Sequence, residues 1–256
     1  MSTSQFHINS KKYFFILAYF TIIVYNCGVK ISNLGEIKVV AFDIDGTLYE
    51  ERKLNRRIFF HFLKHLRFFS LYGLARVELR KSDYYADFKT AQAELMAKKM
   101  HCTPQKAQKK LDDIVYYGLR KYFTKFDCMK GSRELIMRLK EAGVKVALLS
   151  DFPPEQKGEL WGLKPYCDLL LGTEEVGALK PSPKAFLALA ERLGVPAEEI
   201  FYIGNNHKYD VVGPKNAGLK AGWIVSPLKG KLGKKSKVAD FTFYKYSQLE
   251  HFIFGE

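Results

Sequence analysis

The chain has 256 residues, of which 47% are hydrophobic, 27% charged and 14% aromatic, and its 41 Lys and Arg against 27 Asp and Glu give a net charge of +14. This apolar content excludes a disordered chain, and the lack of any short repeat excludes collagen-like and coiled-coil proteins. The four cysteines are widely spaced and form no CxxC pair, so the sequence predicts neither a disulfide framework nor a zinc knuckle.

An apolar stretch near the N-terminus is the first feature along the chain. Seventeen uncharged residues, 13–29, follow Lys11 and Lys12 and precede Lys30. This length is marginal for a membrane-spanning helix, and a charged segment before an apolar one also describes a signal peptide. Residues 1–35 are therefore interpreted as an apolar extension: a membrane anchor, an export signal, or a misassigned start. A cytoplasmic enzyme is favoured, with a membrane anchor and membrane contact through residues 13–29 as the alternative.

Short apolar runs alternate with helical patterns from residue 37 onward. The run IKVVAFD at 37–43 is typical of a parallel strand that is covered on both faces. Similar runs lie at 144–150, 168–172, 200–204 and 219–225, and helical patterns at 132–143, 182–194 and 209–218. The alternation predicts an α/β fold with a doubly wound parallel sheet, a Rossmann-like core formed by residues 36–48 and 128–256. Ligands of such sheets bind beyond the carboxyl ends of the strands.

Residues 49–127 do not follow that alternation. They contain 18 Lys and Arg against 9 Asp and Glu, and their apolar residues recur at helical spacing. The pattern predicts an inserted helical cap domain of about four helices, which overhangs the catalytic edge of the sheet. We expect its aromatic residues to form the core of the cap, namely Phe59, Phe60, Phe62, Phe68 and Phe69. Four basic residues are candidates for facing the crevice: Arg56, Arg57, Lys64 and Arg67.

Polar residues follow four of the predicted strands. Asp43 ends the first strand and Asp45 lies two residues later, so their carboxylates project together into the crevice. Ser150 ends the second strand in LLSD, Lys180 follows the third in ALKPSP, and residues 205–210 follow the fourth in GNNHKYD. The DxDG motif alone is a weak signal, because turns and calcium loops also contain it. The ordered set of four motifs is far more specific.

This ordered set resembles the haloacid dehalogenase-like superfamily, in particular its phosphoglycolate phosphatase-like branch with a helical cap, and the resemblance covers residues 37 to about 250. It implies that Asp43 is a nucleophile, that Asp45 is the general acid and base, and that Lys180 neutralises nucleophile and phosphate. It also implies that Ser150 holds the phosphoryl group. Thr47, in the turn after Asp45, is a further candidate for the phosphate site.

The resemblance also implies a Mg²⁺ site. Its expected ligands are Asp43, Asp45, Asn205 and Asp210. Asn205 departs from the family pattern, which usually has an aspartate there. The amide still offers a carbonyl oxygen, but the site loses one negative charge and should bind magnesium less tightly.

These motifs together predict a magnesium-dependent phosphatase that hydrolyses a small phosphorylated metabolite through an aspartyl-phosphate. Asp45 favours phosphoryl transfer over dehalogenation, because a halide leaving group needs no proton. A phosphomutase, a pyrophosphatase, and a catalytically impaired anion-binding protein tethered to a membrane stay open as alternatives. No nucleic-acid partner is expected, since the basic residues carry no recognisable nucleic-acid motif.

Overall fold

The computed structural model describes residues 28–31, 33–123 and 127–255. The strands in these ranges form a small antiparallel hairpin and a parallel sheet of six strands. The hairpin comprises β1 (Val29–Ile31) and β2 (Gly35–Ile37). The sheet comprises β3 (Val39–Phe42), β4 (Lys145–Ser150), β5 (Leu169–Gly172), β6 (Ile200–Gly204), β7 (Lys220–Ile224) and β8 (Phe241–Phe243). Its order, β5-β4-β3-β6-β7-β8, places β3 between β4 and β6.

Most of the apolar stretch 13–29, for which anchor, export signal and misassigned start were all considered, lies outside the described residues. Within the part of the chain that the structure describes, none of the helices combines the length and apolarity needed to cross a bilayer.

Four α-helices of the described chain lie in the predicted insertion, residues 49–127. They are α1 (Glu51–Lys64), α2 (Leu66–Leu79), α3 (Phe88–Met100) and α4 (Pro104–Leu111). The α4 helix begins as its sequence predicts, because the Thr103 side chain accepts a hydrogen bond from the Lys106 N–H and Pro104 occupies the first turn. A π-helical turn at Asp112–Tyr116 follows α4. The predicted helical insertion is therefore confirmed.

The core of this insertion contains fewer aromatic residues than the sequence suggested. Phe68 is buried beside Tyr72, with the two rings stacked at 6.2 Å. By contrast, Phe59 is 52%, Phe60 79% and Phe62 39% exposed, so the expectation that these three belong to the core is wrong. The chain bends at His65 between α1 and α2, and α1 buries Leu54 on the side opposite to the Phe59 and Phe60 rings.

The helices of the remaining chain pack on both faces of the parallel sheet. They are α5 (Ser132–Glu141), α6 (Thr173–Val176), α7 (Pro183–Leu193), α8 (Gly213–Asn216), α9 (Pro227–Lys231) and α10 (Tyr246–Phe254). Successive side chains of a strand point to opposite faces. Accordingly Val40 and Phe42 of β3 pack in the cluster that includes α5 and α10, whereas Val39 and Ala41 pack in the cluster that includes α7. The doubly wound α/β fold predicted from the sequence is confirmed.

Candidate active site

Asp43 lies directly after the central strand β3, where its backbone is fixed by a 2.8 Å hydrogen bond from its N–H to the Ile203 carbonyl. Its side chain is only 4% exposed, and each carboxylate oxygen has a partner. Lys180 Nζ donates to Oδ1 at 2.7 Å, and Thr47 Oγ1 donates to Oδ2 at 2.8 Å. These contacts hold the carboxylate in one orientation.

Lys180 connects two of the predicted site residues. Its ammonium lies 2.7 Å from Asp43 Oδ1 and 2.7 Å from Asp210 Oδ1, and 3.1 Å from the Tyr202 hydroxyl. All of these groups are buried. The positive charge of one lysine is thus shared between two carboxylates, which compensates part of the cost of burying them.

Asp45, in the turn that follows β3, has a different set of partners. Its Oδ1 accepts a 2.6 Å hydrogen bond from the Tyr49 hydroxyl. Its Oδ2 accepts one from Ser150 Oγ at 3.0 Å and lies 3.0 Å from the ammonium of Lys157. Burial opposes ionisation of Asp45, but the charge of Lys157 and the hydrogen bonds from Tyr49, Lys157 and Ser150 outweigh it, so the pKa lies below its usual value.

Asn205 lies next to the turn that carries Asp45. Gly46 in that turn has φ of +83°, and a Cβ atom there would clash with the Asn205 side-chain amide. Two features therefore favour glycine at position 46: its left-handed backbone and the close approach of the Asn205 side chain. The neighbouring Asn206 N–H donates to Asp210 Oδ2 at 2.9 Å, which fixes the Asp210 carboxylate in the turn that follows β6.

The charges grouped at this site are not balanced, although only Asp43 and Asp210 of its aspartates are buried and Asp45 is 32% exposed. Asp43, Asp45 and Asp210 are opposed by the ammonium groups of Lys180 and Lys157. Burial raises the pKa of the Asp43 carboxyl to about 7, with Lys180 opposing the rise and Asp210 and Asp45 adding to it. An additional cation at this place would relieve the excess of negative charge.

The oxygen groups at this place suit a hard divalent cation. Carboxylates of Asp43 and Asp210 and the amide of Asn205 are ligand types that Mg²⁺ prefers. Side chains alone do not form the site, because no three His, Cys, Asp or Glu side chains are grouped for a metal within residues 28–31, 33–123 and 127–255. The donor chemistry fits magnesium if the Asn205 oxygen and a backbone carbonyl, as expected at Asp45, complete the set.

The predicted site residues thus meet at one edge of the sheet, and the structure adds residues that the sequence analysis did not select. Lys157 contacts Asp45, and Tyr49 donates to it. Asp151 accepts from the Lys180 N–H at 3.0 Å and pairs with Arg80 at 2.6 Å. In the sequence, Lys157 and Asp151 are marked only by their proximity to Ser150. That signal is weak, because a single lysine in a polar loop is usually exposed.

Two arginines of the helical insertion also reach this edge, Arg76 in the last turn of α2 and Arg80 directly after that helix. Arg80 donates to the Lys180 carbonyl at 3.1 Å, and Arg76 is buried and paired with Glu174. The basic residues expected at the crevice lie elsewhere or are exposed. Lys64 and Arg67 line a separate cavity of about 300 Å³, and Arg56 and Arg57 of α1 are exposed.

A search of protein families matches residues 37–218 to a family model described as haloacid dehalogenase-like hydrolase. The match spans most of the parallel sheet and the helical insertion. The chain therefore belongs to the haloacid dehalogenase-like hydrolases.

Two of the curated relatives that this chain resembles carry different enzyme names. A glyceraldehyde 3-phosphate phosphatase of Methanopyrus kandleri is 27% identical over 199 residues, which is 72% of this chain and 82% of that protein. A pyrophosphatase PpaX of Bacillus mycoides is 25% identical over 217 residues, which is 84% of this chain and 95% of that protein.

Solved structures support the fold. A HAD phosphatase from Thermococcus onnurineus superposes with a TM-score of 0.57 at 24% identity, covering 86% of this chain and 99% of that one. An L-2-haloacid dehalogenase from Xanthobacter autotrophicus superposes with a TM-score of 0.59 at 17% identity, with the same two coverages. At these identities the likeness establishes the architecture, and the choice between reactions depends on the site.

Proposed function

We propose that this hydrolase is a magnesium-dependent phosphatase that hydrolyses a small phosphorylated metabolite through an aspartyl-phosphate at Asp43. The observation that carries the proposal is the pair of aspartates with different partners. Asp43 is held by Lys180 and Thr47, whereas Asp45 is held by Tyr49, Ser150 and Lys157. Two carboxylates in separate environments can take separate roles as nucleophile and as acid and base.

In the first step a carboxylate oxygen of Asp43 attacks phosphorus, and the bond from phosphorus to the leaving oxygen breaks. Asp45 in its protonated form gives its proton to that oxygen; because its pKa is lowered in the free site, this form has to arise when the anionic substrate binds beside it. In the second step Asp45 takes a proton from water, the water oxygen attacks phosphorus, and the bond from phosphorus to Asp43 breaks. Inorganic phosphate leaves, and both aspartates return to their starting state.

The remaining residues reduce the repulsion between an anionic nucleophile and an anionic substrate. Lys180 contributes positive charge at Asp43, and Ser150 donates a hydrogen bond to the phosphoryl group. Magnesium, when bound to Asp43, Asp45, Asn205 and Asp210, supplies further positive charge for the phosphoryl oxygens. Thr47 Oγ1 donates to Asp43 and orients the nucleophile, and its contact with the phosphate stays a prediction.

The site favours phosphoryl transfer over the dehalogenation performed by the Xanthobacter relative of the fold. A halide leaves without a proton, and the resemblance implies that dehalogenating members lack the second aspartate. Asp45 is present and fixed by three donors. The names of the curated relatives support two substrate groups, phosphate monoesters and pyrophosphate.

The test is release of inorganic phosphate by the purified full-length chain with and without magnesium, from a panel of phosphorylated sugars, short phosphorylated acids and pyrophosphate. We expect magnesium-dependent release from at least one compound. The Asp43→Asn variant should keep its thermal unfolding temperature near that of the wild type and lose turnover, because an amide cannot form the acyl-phosphate. Phosphate release that persists in Asp43→Asn, or that no panel compound supports, would refute the proposal.

A further inference from the structure

Lys157 is a fully buried lysine at the candidate active site. It ends a short 3₁₀ turn, Pro154–Lys157, that follows β4. Its side chain is 0% exposed, and its ammonium lies 3.0 Å from Asp45 Oδ2 and 3.5 Å from Ser150 Oγ. The rings of Phe123 and Phe152 lie 5.2 Å and 5.1 Å from the same nitrogen. The ammonium is therefore enclosed by aromatic rings and by the polar groups of the site.

The charge of Asp45 does not by itself explain why the Lys157 ammonium is buried. Burying an ammonium is costly unless its N–H groups are satisfied, and Asp45 already accepts hydrogen bonds from two hydroxyl groups, those of Tyr49 and Ser150. An ammonium has three N–H donors. Among the described residues, the Lys157 ammonium has two oxygen acceptors, Asp45 and Ser150. The distance to the Ser150 hydroxyl, 3.5 Å, is long for a hydrogen bond. At least one N–H therefore has no oxygen acceptor among these residues and has only the Phe123 and Phe152 rings beside it.

The place of Lys157 relative to the two aspartates indicates which acceptor this N–H can take. The Lys180 ammonium donates a hydrogen bond to Asp43, the expected nucleophile. The Lys157 ammonium lies beside Ser150, the residue expected to hold the phosphoryl group. A phosphoryl group between Asp43 and Ser150 would therefore have an ammonium on each side. Without Lys157, the Lys180 ammonium and the proposed magnesium ion would oppose three carboxylates and an incoming anion, with no positive charge on the Ser150 side.

We propose that Lys157 is a phosphate-binding residue of this site, which donates together with Ser150 to a non-bridging oxygen of the transferring phosphoryl group. This inference rests on the proposed function. When the anion arrives, the Lys157 ammonium is shared between Asp45 and the phosphoryl oxygen. Lys157 thereby adds a second positive charge opposite Lys180 and links the anion to the acid and base residue.

The test compares Lys157→Met with the wild-type chain by calorimetric titration of inorganic phosphate in the presence of magnesium chloride. Methionine keeps the length of the side chain and removes its charge. We expect phosphate affinity to fall at least tenfold, since hydrogen bonds to charged groups contribute about 1.5–3 kcal/mol. Lys157→Arg should recover part of the affinity. The control Lys164→Met lies in the same loop, where the lysine side chain is 51% exposed, and should bind phosphate like the wild type.

A structural role and a binding role give different results in this experiment. If Lys157 only stabilises the fold, Lys157→Met lowers the unfolding temperature while the folded protein binds phosphate with wild-type affinity, and the inference is wrong. The inference is also wrong if wild-type protein binds no phosphate. Should Lys157→Met not fold, a crystal structure of the wild-type chain with phosphate decides: a Lys157 nitrogen within about 3.2 Å of a phosphate oxygen supports the inference, and one beyond about 4 Å contradicts it.

The titration does not depend on turnover, so it separates this inference from the proposed function. A wild-type chain that binds phosphate through Lys157 but releases none from any compound contradicts the phosphatase proposal alone. A wild-type chain that hydrolyses a phosphate ester, with KM, kcat and phosphate affinity unchanged in Lys157→Met, contradicts the inference alone.

Discussion

Asn205 is the residue at which this chain departs from the usual family motif, and it lies against Gly46 in the turn after Asp43. If its amide oxygen is a metal ligand, Asn205→Asp should lower the magnesium concentration for half-maximal phosphatase activity by roughly threefold to tenfold, because a charged oxygen binds a hard cation more strongly than a neutral one. The measurement is a magnesium titration of initial rates at saturating substrate.

Asn206→Asp is the matched control for this substitution. It adds the same charge one residue away, where the Asn206 side chain caps the Lys208 and Tyr209 N–H groups and an aspartate caps equally well. We expect its magnesium requirement to stay at the wild-type value. An Asn205→Asp variant with an unchanged or higher requirement would mean that Asn205 is not a ligand, or that the added charge repels the substrate.

The site residues that sequence analysis could select are those at strand ends. Asp43 and Asn205 directly follow buried strands and Ser150 ends one, and parallel strands bring their carboxyl ends to one edge. Lys157 could not be selected in this way, because it lies on a turn whose burial depends on Phe123, a residue 34 positions earlier in the chain. Contacts between distant segments carry no local signal.

The α1 and α2 helices have similar aromatic sequences but different environments. Phe68 of α2 is 8% exposed in the core of the insertion, whereas Phe60 of α1 is 79% exposed. Phe68→Ala should therefore lower the free energy of unfolding by about 3 kcal/mol, the cost of a cavity in a packed core. Phe60→Ala should change it by less than about 0.5 kcal/mol. Urea denaturation followed by circular dichroism measures both, and equal losses would contradict the assigned packing.

Arg80, the residue that follows α2, forms a partly buried ion pair at the sheet edge. Arg80 lies 2.6 Å from Asp151, with side chains 19% and 12% exposed. Burial opposes ionisation of Asp151, but the charges of Lys180, Arg76 and Arg80 outweigh it and hold its pKa below the usual value. A carboxyl with a lowered pKa in the folded state stabilises the fold at pH values above its unfolded pKa of about 3.9, and this stabilisation is lost as the pH falls towards the folded pKa.

Asp151→Asn should therefore lower the free energy of unfolding at pH 7 by about 2 kcal/mol, less than the cost of breaking a fully buried pair because both side chains are partly exposed. The difference from wild type should shrink as the pH falls below about 4, where Asp151 of the wild type also becomes protonated. Glu175→Gln is the control, because Glu175 and its partner Arg192 are 58% and 40% exposed and such surface pairs contribute little. A difference for Asp151→Asn that is independent of pH would show that its charge is not the cause.

At the scale of the whole molecule, the alternation of apolar runs and helical patterns was sufficient to predict the doubly wound sheet. Five predicted strands correspond to β3 to β7, because buried parallel strands have long β-branched and aliphatic runs. The β1–β2 hairpin and the edge strand β8 were not predicted. Each of these strands has only three residues, too few to establish a period. The boundaries of the cap domain at residues 49 and 127 stay a prediction.

The net charge of +14 predicts that association with an anionic substrate is accelerated by electrostatic attraction. Charge steering acts on association and is screened by salt, with a Debye length of about 10 Å at 0.1 M. We therefore expect kcat/KM to fall as ionic strength rises from about 0.02 M to about 0.5 M, while kcat changes little. Steady-state kinetics over this range, with free magnesium held constant, measures both values.

The location of the steering charge can be tested by removing two charges at a time. Arg56 and Arg57 are exposed on α1 of the basic insertion, and replacing both by Ala should weaken the salt dependence of kcat/KM. Replacing the exposed Lys234 and Lys235, which lie outside the insertion, removes the same charge and should have the smaller effect. Equal effects of the two pairs would mean that net charge alone attracts the substrate. A salt-insensitive kcat/KM, together with nucleic-acid affinity that falls steeply with salt, would instead assign the basic surface to a nucleic-acid partner.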